Sequence, residues 1–507
     1  MTATARYAPS TLAAVDILMA TDAYKLDHRR QYPVDTEYVY SNLTARGSRI
    51  PGVNWCVFFG LQAHLRDITS RWQSFFDADI DEVCAAYARR LTQVLGPNNI
   101  DTDHIRELHA YGRIPLEFRA LPEGTIVPNG VPFFTMKNTA PQFFWFTNYI
   151  ETELSAALWQ PITSATIAWY NRVLLDERAV VSGAAPEAVD WQGHDFSYRG
   201  MAGTAAAAAS GAAHLLSFTG TDSLPALGWI DHNYPGTPDN ALIGGSVPAT
   251  EHSVMCANGQ GGELQTFEHL LNLYPSGIVS VVSDTWNLWQ VLTEFLPALK
   301  GNILARDGKL VIRPDSGDPE KILCGDPDAA PSSPQWKGVV RLLAETFGTT
   351  TNDKGYKELN SHVGVIYGDS ITHQRADSIT SNLIAQGYSS TTPILGFGSY
   401  TYQYVTRDTF SIAMKATWVQ VNGQGRDIAK DPITDPGKRS ARGRLAVTSD
   451  PSEHLALRQG MSVQGIAGDQ LRPVFFEGEL LEEMSFGHVR DTLRADWTKY
   501  AARKGQI

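Results

Sequence analysis

Short apolar runs that stop abruptly in glycine, serine and aspartate dominate the middle of the chain. In KLVIRPDSGDP (309–319), Lys309 to Ile312 suit a buried strand, and Arg313, Pro314, Asp315, Ser316 and Gly317 follow at once. A tight turn requires Pro and Gly, but it requires neither Arg313 nor Asp315. The pattern recurs. IVSVVSDTWN (278–287) ends in Ser283, Asp284 and Thr285, HVGVIYGDSIT (362–372) in Gly368, Asp369 and Ser370, and PILGFGSYT (393–401) in Gly396, Gly398 and Ser399. Stretches able to form helices follow, such as NLWQVLTEFL (287–296) and THQRADSITSNLIAQG (372–387). Strands alternating with helices predict a parallel sheet, open or closed. Its strand C-termini would share one side and carry the chemistry there. One such loop is what any polar turn leaving a core strand looks like. Four in succession predict a pocket that reads hydroxyls and phosphate.

The flanking regions are patterned differently. EYVYSNLTARG (37–47) is strand-like, IDEVCAAYARRLTQVLG (80–96) has helical spacing, and Glu117 to Leu121 read as a strand entering a turn at Pro122, Glu123 and Gly124. An aromatic-rich helix is expected from about 141 to 159, with its rings in the core or at a subunit interface. AGTAAAAASGAAHLLSF (202–218) predicts a helix of small residues suited to close packing. CGDPDAAPSSPQWKG (324–338) reads as an exposed insertion. The last hundred residues return to strand-like runs (FSIAMKATWVQVNG) and turns (DPITDPGKRSARGR), and no internal repeat is visible.

Bulk properties narrow the class. A chain of 507 residues suits two or more domains packed as a unit. With 42 basic and 54 acidic residues the net charge is −12, which argues against general nucleic-acid binding. An anionic substrate would then need a local basic pocket. Cys56, Cys84, Cys256 and Cys324 are far apart and form no CxxC pair, so a disulfide framework or zinc site is not expected and a reducing cytoplasm is the default. The N-terminal stretch does not read as a signal peptide, and no apolar run is long enough to span a membrane.

Several segments could carry chemistry. GHDFSYRG (193–200) gathers His194, Asp195, Phe196, Tyr198 and Arg199, and Phe196 could stack on a flat ring. In FTGTDS (218–223), an ionised Asp222 would accept from a carboxamide N–H and repel a carboxylate. GGSVPATEHSVM (244–255) brings Ser246, Glu251 and His252, and a His beside a Glu can be a base, a nucleophile or a metal ligand. TRDTFSIAMK (406–415) and KDPITDPGKRSARGR (430–444) supply Arg407, Lys415, Lys438 and neighbouring cations. Near the start, LMATDAYKLDHRRQYP (18–33) and YSNLTARGSR (40–49) add Tyr24 and Arg46. Taken one at a time, each reads equally as a polar turn or a solvated loop.

Together, in order and spacing, these segments resemble the nicotinamide phosphoribosyltransferases, within the nicotinate/nicotinamide phosphoribosyltransferase family. The matching pieces are ATDAYKLDHRRQYP, FFGLQ, GHDFSYRG, FTGTDS, SVPATEHS, SVVSDT, VIRPDSGDP, VIYGDS, FGS with TRD, and KDPITDPGKRSARGRL, spanning roughly residues 19 to 445. The resemblance implies an irregular α/β barrel-like core of the type II phosphoribosyltransferase kind packed on a second α+β domain. The expected division is an α+β domain over 1–180 that contributes to a dimer interface, a barrel-like catalytic domain over 181–405, and a return segment over 406–507 completing the α+β domain. The implied reaction transfers the phosphoribosyl group of 5-phosphoribosyl pyrophosphate to nicotinamide, giving nicotinamide mononucleotide and pyrophosphate. Magnesium would assist, and ATP hydrolysis would be coupled through a phosphohistidine. A homodimer with shared sites is implied.

By the same resemblance, Phe196 stacks on the pyridine ring, opposite Tyr24 of the partner subunit. Such a ring pair contributes about 0.5–1.5 kcal/mol. Asp222 accepts from the carboxamide, with Ser246 nearby in the substrate site, and His252 is the phosphorylated histidine. Arg199 and Arg313 meet pyrophosphate or sugar phosphate, and Asp315, Gly368 and Asp369 hold ribose. Asp284 and Asp315 bind hydrated magnesium, and Arg46, Arg407, Lys415 and Lys438 bring cations across the interface. Carboxylates at strand tips suit hydroxyls and magnesium, and guanidinium forks suit phosphate.

The sequence also departs from the family. FGSYTYQYVTRD has Tyr400, Thr401 and Tyr402 where glycines are common, Ala413 replaces a serine, and Ser197 replaces a glycine. Phosphate would then rely on Ser399, Thr401 or other amides. Two rival readings stand beside the main one: a nicotinate phosphoribosyltransferase, and a non-catalytic ligand-binding or signalling protein on the same scaffold.

Overall fold

The computed structural model describes residues 7–238, 240–430, 433–434, 440–450, 454–462 and 465–503. The chain forms two compact units, one of residues 1–166, 230–237 and 406–507, the other of 167–229 and 238–405.

The first unit is built on a seven-stranded sheet. Its strands run Gln424–Asp427, Ile412–Val421, Thr36–Ala45, Pro132–Asn138, Leu116–Ala120, Arg472–Phe476 and Glu479–Leu480 in spatial order, and every neighbouring pair is antiparallel. The helix expected over 80–96 is Ile80–Leu95, capped by the Asp79 carboxylate, which accepts the N–H groups of Asp81 and Glu82. The helix Leu61–Phe76 starts on a buried acid. Glu123 accepts the N–H groups of Gly60 and Gln62 at 2.9 and 2.6 Å and the Tyr234 hydroxyl at 2.6 Å.

The aromatic-rich helix does not stop near 159. It runs Phe144–Ser182, straight through Pro161. A proline inside a helix costs about 3 kcal/mol or more. Here Leu158, Ile162 and Ala165 are fully buried around it, and its ring lies where a side chain at Gly60 would stand, 2.9 Å from a Cβ built there. Burying each large aliphatic side chain contributes about 1.5–3 kcal/mol, enough for tertiary packing to override the local break.

The second unit carries the parallel sheet that the central pattern predicts. Its strands are β1 (Gly193–Asp195), β2 (Gly220–Thr221), β3 (Ser276–Val282), β4 (Asp307–Arg313), β5 (Val363–Tyr367) and β6 (Pro393–Phe397). They lie in the order β2-β1-β6-β5-β4-β3, all pairs parallel. Val279, Val281 and Val282 of β3, and Leu310 and Ile312 of β4, are fully buried, as both-faces-covered parallel strands require. The sheet curls. Residues 245–250 form an extended bridge between its edges: Gly245 pairs in parallel with Gly220 of β2, and Ala249 with Ser280 of β3. Thr221 N–H donates to Gly245 O at 2.9 Å, and Thr250 N–H to Ser280 O at 3.0 Å. The barrel-like core is thus closed by a segment whose own end leads into Glu251 and His252. The Ala-rich helix spans Thr204–His214, and the proline-rich insertion is partly helical, with Pro319–Cys324 and Pro334–Phe347 on either side of its turns.

Candidate active site

Parallel pairing puts all six strand C-termini, and the end of the bridging segment, on one side. A cleft of about 740 Å³ opens there, lined by Phe196, Arg199, Asp222, His252, Arg313, Asp315, Gly368, Asp369 and Ser399 among others. Each comes from the end of a strand, from the residues just beyond one, or from just after the bridge. The sheet therefore gathers groups scattered over two hundred positions of sequence.

Phe196 is fixed by its N–H donating to Phe397 O at 3.0 Å and by His194, whose ring centroid lies 4.5 Å from its own. Gly396 must be small, because a Cβ there would stand 2.7 Å from the Phe196 ring. His194 Nε2 lies 3.1 Å from Asp222 Oδ1, and the Ser246 hydroxyl donates to the same oxygen. Burial pushes the Asp222 carboxyl up, but the hydrogen bonds from His194 and Ser246 and the nearby Arg313 charge outweigh it and hold the group below the usual carboxylate range. Asp222 is thus ionised, and its Oδ2 meets no hydrogen-bond donor among the described residues.

Arg313, at the tip of β4, has a buried Nε without a partner among the described residues. Gly368 makes room for the neighbouring acid, since a Cβ there would fall 2.5 Å from Asp315 Oδ1. The Asp315 carboxyl is pushed up by burial and by the like charges of Asp284 and Asp369, against the pull of Arg313. Asp284 is itself nearly covered. Its Oδ2 accepts the N–H groups of Asp315 and Ser316 and its Oδ1 faces His252. Burial raises it, but these bonds win and keep it below the usual range. Three crowded carboxylates with one of them strained toward protonation fit a divalent cation. No three His, Cys, Asp or Glu among the described residues stand close enough to chelate one directly.

The remaining sequence-selected cations and Tyr24 assemble elsewhere. Tyr24, Arg407 and Lys415 line a separate cleft of about 370 Å³ in the first unit with Lys25 and Glu151, and Arg46 Nε reaches Ser411 O at 3.4 Å beside them. Burial, then the Arg46 charge, hold the Lys415 ammonium below its ordinary value. Lys438 lies outside the described residues. In the FGSYTYQ loop, Thr401 turns inward, donating to Ile371 O at 2.8 Å, and Tyr402 is buried against His214. That leaves Ser399 and Gly398 at the cleft. A Cβ on Gly200 would meet the Ser399 hydroxyl at 2.6 Å. The contact of His194 with Asp222 had no signal in sequence beyond its place in GHDFSYRG, because β1–β2 pairing creates it.

Known proteins match this chain over nearly its full length. Residues 191–479 match the nicotinate phosphoribosyltransferase (NAPRTase) family model, and residues 16–117 match that of the nicotinamide phosphoribosyltransferase N-terminal domain. The nicotinamide phosphoribosyltransferase of Acinetobacter baylyi is 49% identical, covering 94% of this chain and 97% of that protein. That of Mycoplasma pneumoniae is 36% identical, covering 84% and 95%. The crystal structures of nicotinate-nucleotide pyrophosphorylase from Pyrococcus furiosus (TM-score 0.57, 15% identity, 99% of each chain) and of human nicotinic acid phosphoribosyltransferase (TM-score 0.51, 17% identity, 94% of each chain) share the fold. That fold is the type II phosphoribosyltransferase architecture. Within it, the chain belongs to the nicotinamide phosphoribosyltransferase family.

Proposed function

We propose that the chain transfers the phosphoribosyl group of 5-phosphoribosyl pyrophosphate to nicotinamide, releasing nicotinamide mononucleotide and pyrophosphate in NAD salvage. The observation that carries this is an ionised Asp222, its Oδ2 unbonded among the described residues, next to Phe196 in the cleft. Phe196 offers a face to the pyridine ring, and Asp222 accepts from the carboxamide N–H. A nicotinate carboxylate would meet a fixed negative charge instead, which sets the nicotinate reading second. The charged set at the strand tips likewise favours turnover over a non-catalytic binding protein.

Binding begins with the sugar. Asp315 and Asp369, beside the open backbone at Gly368, accept from ribose hydroxyls, and Arg199 and Arg313 take the pyrophosphate. Nicotinamide nitrogen attacks the anomeric carbon as the bond to pyrophosphate breaks, and positive charge develops on the ring oxygen while negative charge leaves. Arg313, preorganised by burial, stabilises that departing charge, the kind of interaction that contributes most to such reactions. Magnesium, held through water by Asp284 and Asp315, would neutralise the same charge.

The ATP coupling is read from His252. Asp284 holds one imidazole nitrogen, Nε2, which leaves the Nδ1 lone pair to attack the terminal phosphorus of ATP, with ADP leaving. In a homodimer, Tyr24, Arg46, Arg407 and Lys415 would serve the partner's site. We place the reaction in a reducing cytoplasm, which suits four unpaired cysteines; no helix among the described residues is long and apolar enough to cross a membrane. The test is a product assay with nicotinamide, the sugar donor and magnesium, with and without ATP. Nicotinamide mononucleotide and pyrophosphate in equal amounts support the assignment, and no product under either condition rejects it.

A further inference from the structure

A second cleft, of about 730 Å³, lies in the second unit and shares no lining residue with the first. The insertion builds it. The turn is pinned where two glycines cross: a Cβ on Gly325 would stand 2.3 Å from Trp336 O, and one on Gly338 2.4 Å from Gly325 N. Both adopt positive φ, +101° and +75°, so no other residue fits there without strain. This crossing brings Trp336, Lys337 and Arg341 round to face Lys357, Gln386 and Tyr388.

The lining is basic in an acidic protein. Lys337, Arg341 and Lys357 stand against one acid, Glu345. Glu345 takes Lys337 Nζ at 2.7 Å and Arg341 Nε at 3.0 Å, which fixes the guanidinium while its terminal nitrogens meet no carboxylate among the described residues. Among the described residues the Lys357 ammonium pairs with no carboxylate, and it sits 5.4 Å from the Tyr388 ring centroid, while the Arg341 guanidinium lies 5.1 Å from the Trp336 ring. Lys357, and the Arg341 terminal nitrogens that Glu345 leaves over, each stand by an aromatic ring in a space far larger than one phosphate, a lining suited to an anion that also carries a flat ring. Cations grip phosphate oxygens, rings and amide side chains suit a base, and the volume is that of a small-molecule site.

We propose that this cleft binds a nucleotide, separately from the catalytic cleft. The test is isothermal titration of the full-length protein with ADP, comparing the wild type with the Lys357→Glu/Arg341→Glu variant. The variant is expected to bind one ADP fewer per chain, while its rate of nicotinamide turnover stays within about twofold of the wild type, since neither residue lies in the catalytic cleft. Lys357→Gln, a milder change, is expected to weaken the same site by about tenfold, the worth of one charge-assisted contact, and it serves if the double variant fails to fold. Inorganic pyrophosphate, which lacks the ring, is expected to bind this site more weakly than ADP. An ADP stoichiometry and affinity unchanged by both variants would overturn the site, and equal affinity for pyrophosphate and ADP would overturn its nucleotide class. Product formation reads the catalytic assignment independently of either result.

Discussion

His252 Nε2 lies 3.2 Å from Asp284 Oδ1, while Asp284 Oδ2 accepts the backbone N–H groups of Asp315 and Ser316 at 2.8 and 2.7 Å. One carboxylate thus ties the end of the bridging segment to the tips of β3 and β4. It orients the histidine and shapes the turn that presents Asp315.

The first expected outcome concerns that histidine. His252→Ala removes the proposed phosphate acceptor but none of the groups placed around ribose. ATP hydrolysis should drop to background and the apparent affinity for the sugar donor should weaken, while some phosphoribosyl transfer persists. Separate assays of ADP release and of nicotinamide mononucleotide check this. Undiminished ATP consumption would place the phosphate on another residue.

Asp315 should show a trade of stability against activity. Its carboxyl is raised by burial and by Asp284 and Asp369. The native state therefore holds a proton that the unfolded chain has released, and this contribution to stability is lost as pH rises from the ordinary value through the raised one. At neutral pH the ionised group is a liability. Asp315→Asn should raise the melting temperature slightly, while turnover falls by about 100-fold or more, as for other preorganised electrostatic groups. Scanning calorimetry and steady-state kinetics check the two halves.

Glu263 tests the same linkage away from the cleft. Its side chain is buried, Oε1 has no partner among the described residues, and burial alone pushes the carboxyl up to about 7. Between the unfolded value near 4.5 and that figure the native state binds the extra proton, so stability should fall as pH rises through the window and level off above it. Glu263→Gln should flatten this dependence, leaving the melting temperature little changed at pH 5 and raised at pH 8. A variant as pH-dependent as the parent would contradict the assignment.

What the sequence shows of all this follows from range. The tips at Asp284, Arg313–Asp315 and Gly368–Asp369 are legible because a buried strand and its turn are local patterns. Closure of the sheet by 245–250 is not, because Gly245 and Ala249 belong to no apolar run and are held by partners at Gly220 and Ser280. The helix through Pro161 defeats a local rule because its neighbours are fully buried. Thr401 looks available for phosphate in the sequence, but a bond to Ile371 O, thirty residues away, turns it inward. The insertion looks like loose surface until Gly325 and Gly338 are seen to cross.

The most direct measurement is the ratio of kcat/KM for nicotinamide to that for nicotinate, in the wild type and in Asp222→Asn. Losing a charged hydrogen-bond acceptor costs about 1.5–3 kcal/mol, so nicotinamide efficiency should fall by roughly 10- to 100-fold while nicotinate, no longer repelled, gains. A wild type that uses both substrates equally well, or a ratio unmoved by Asp222→Asn, would contradict the role of Asp222 and the reading of the cleft built on it.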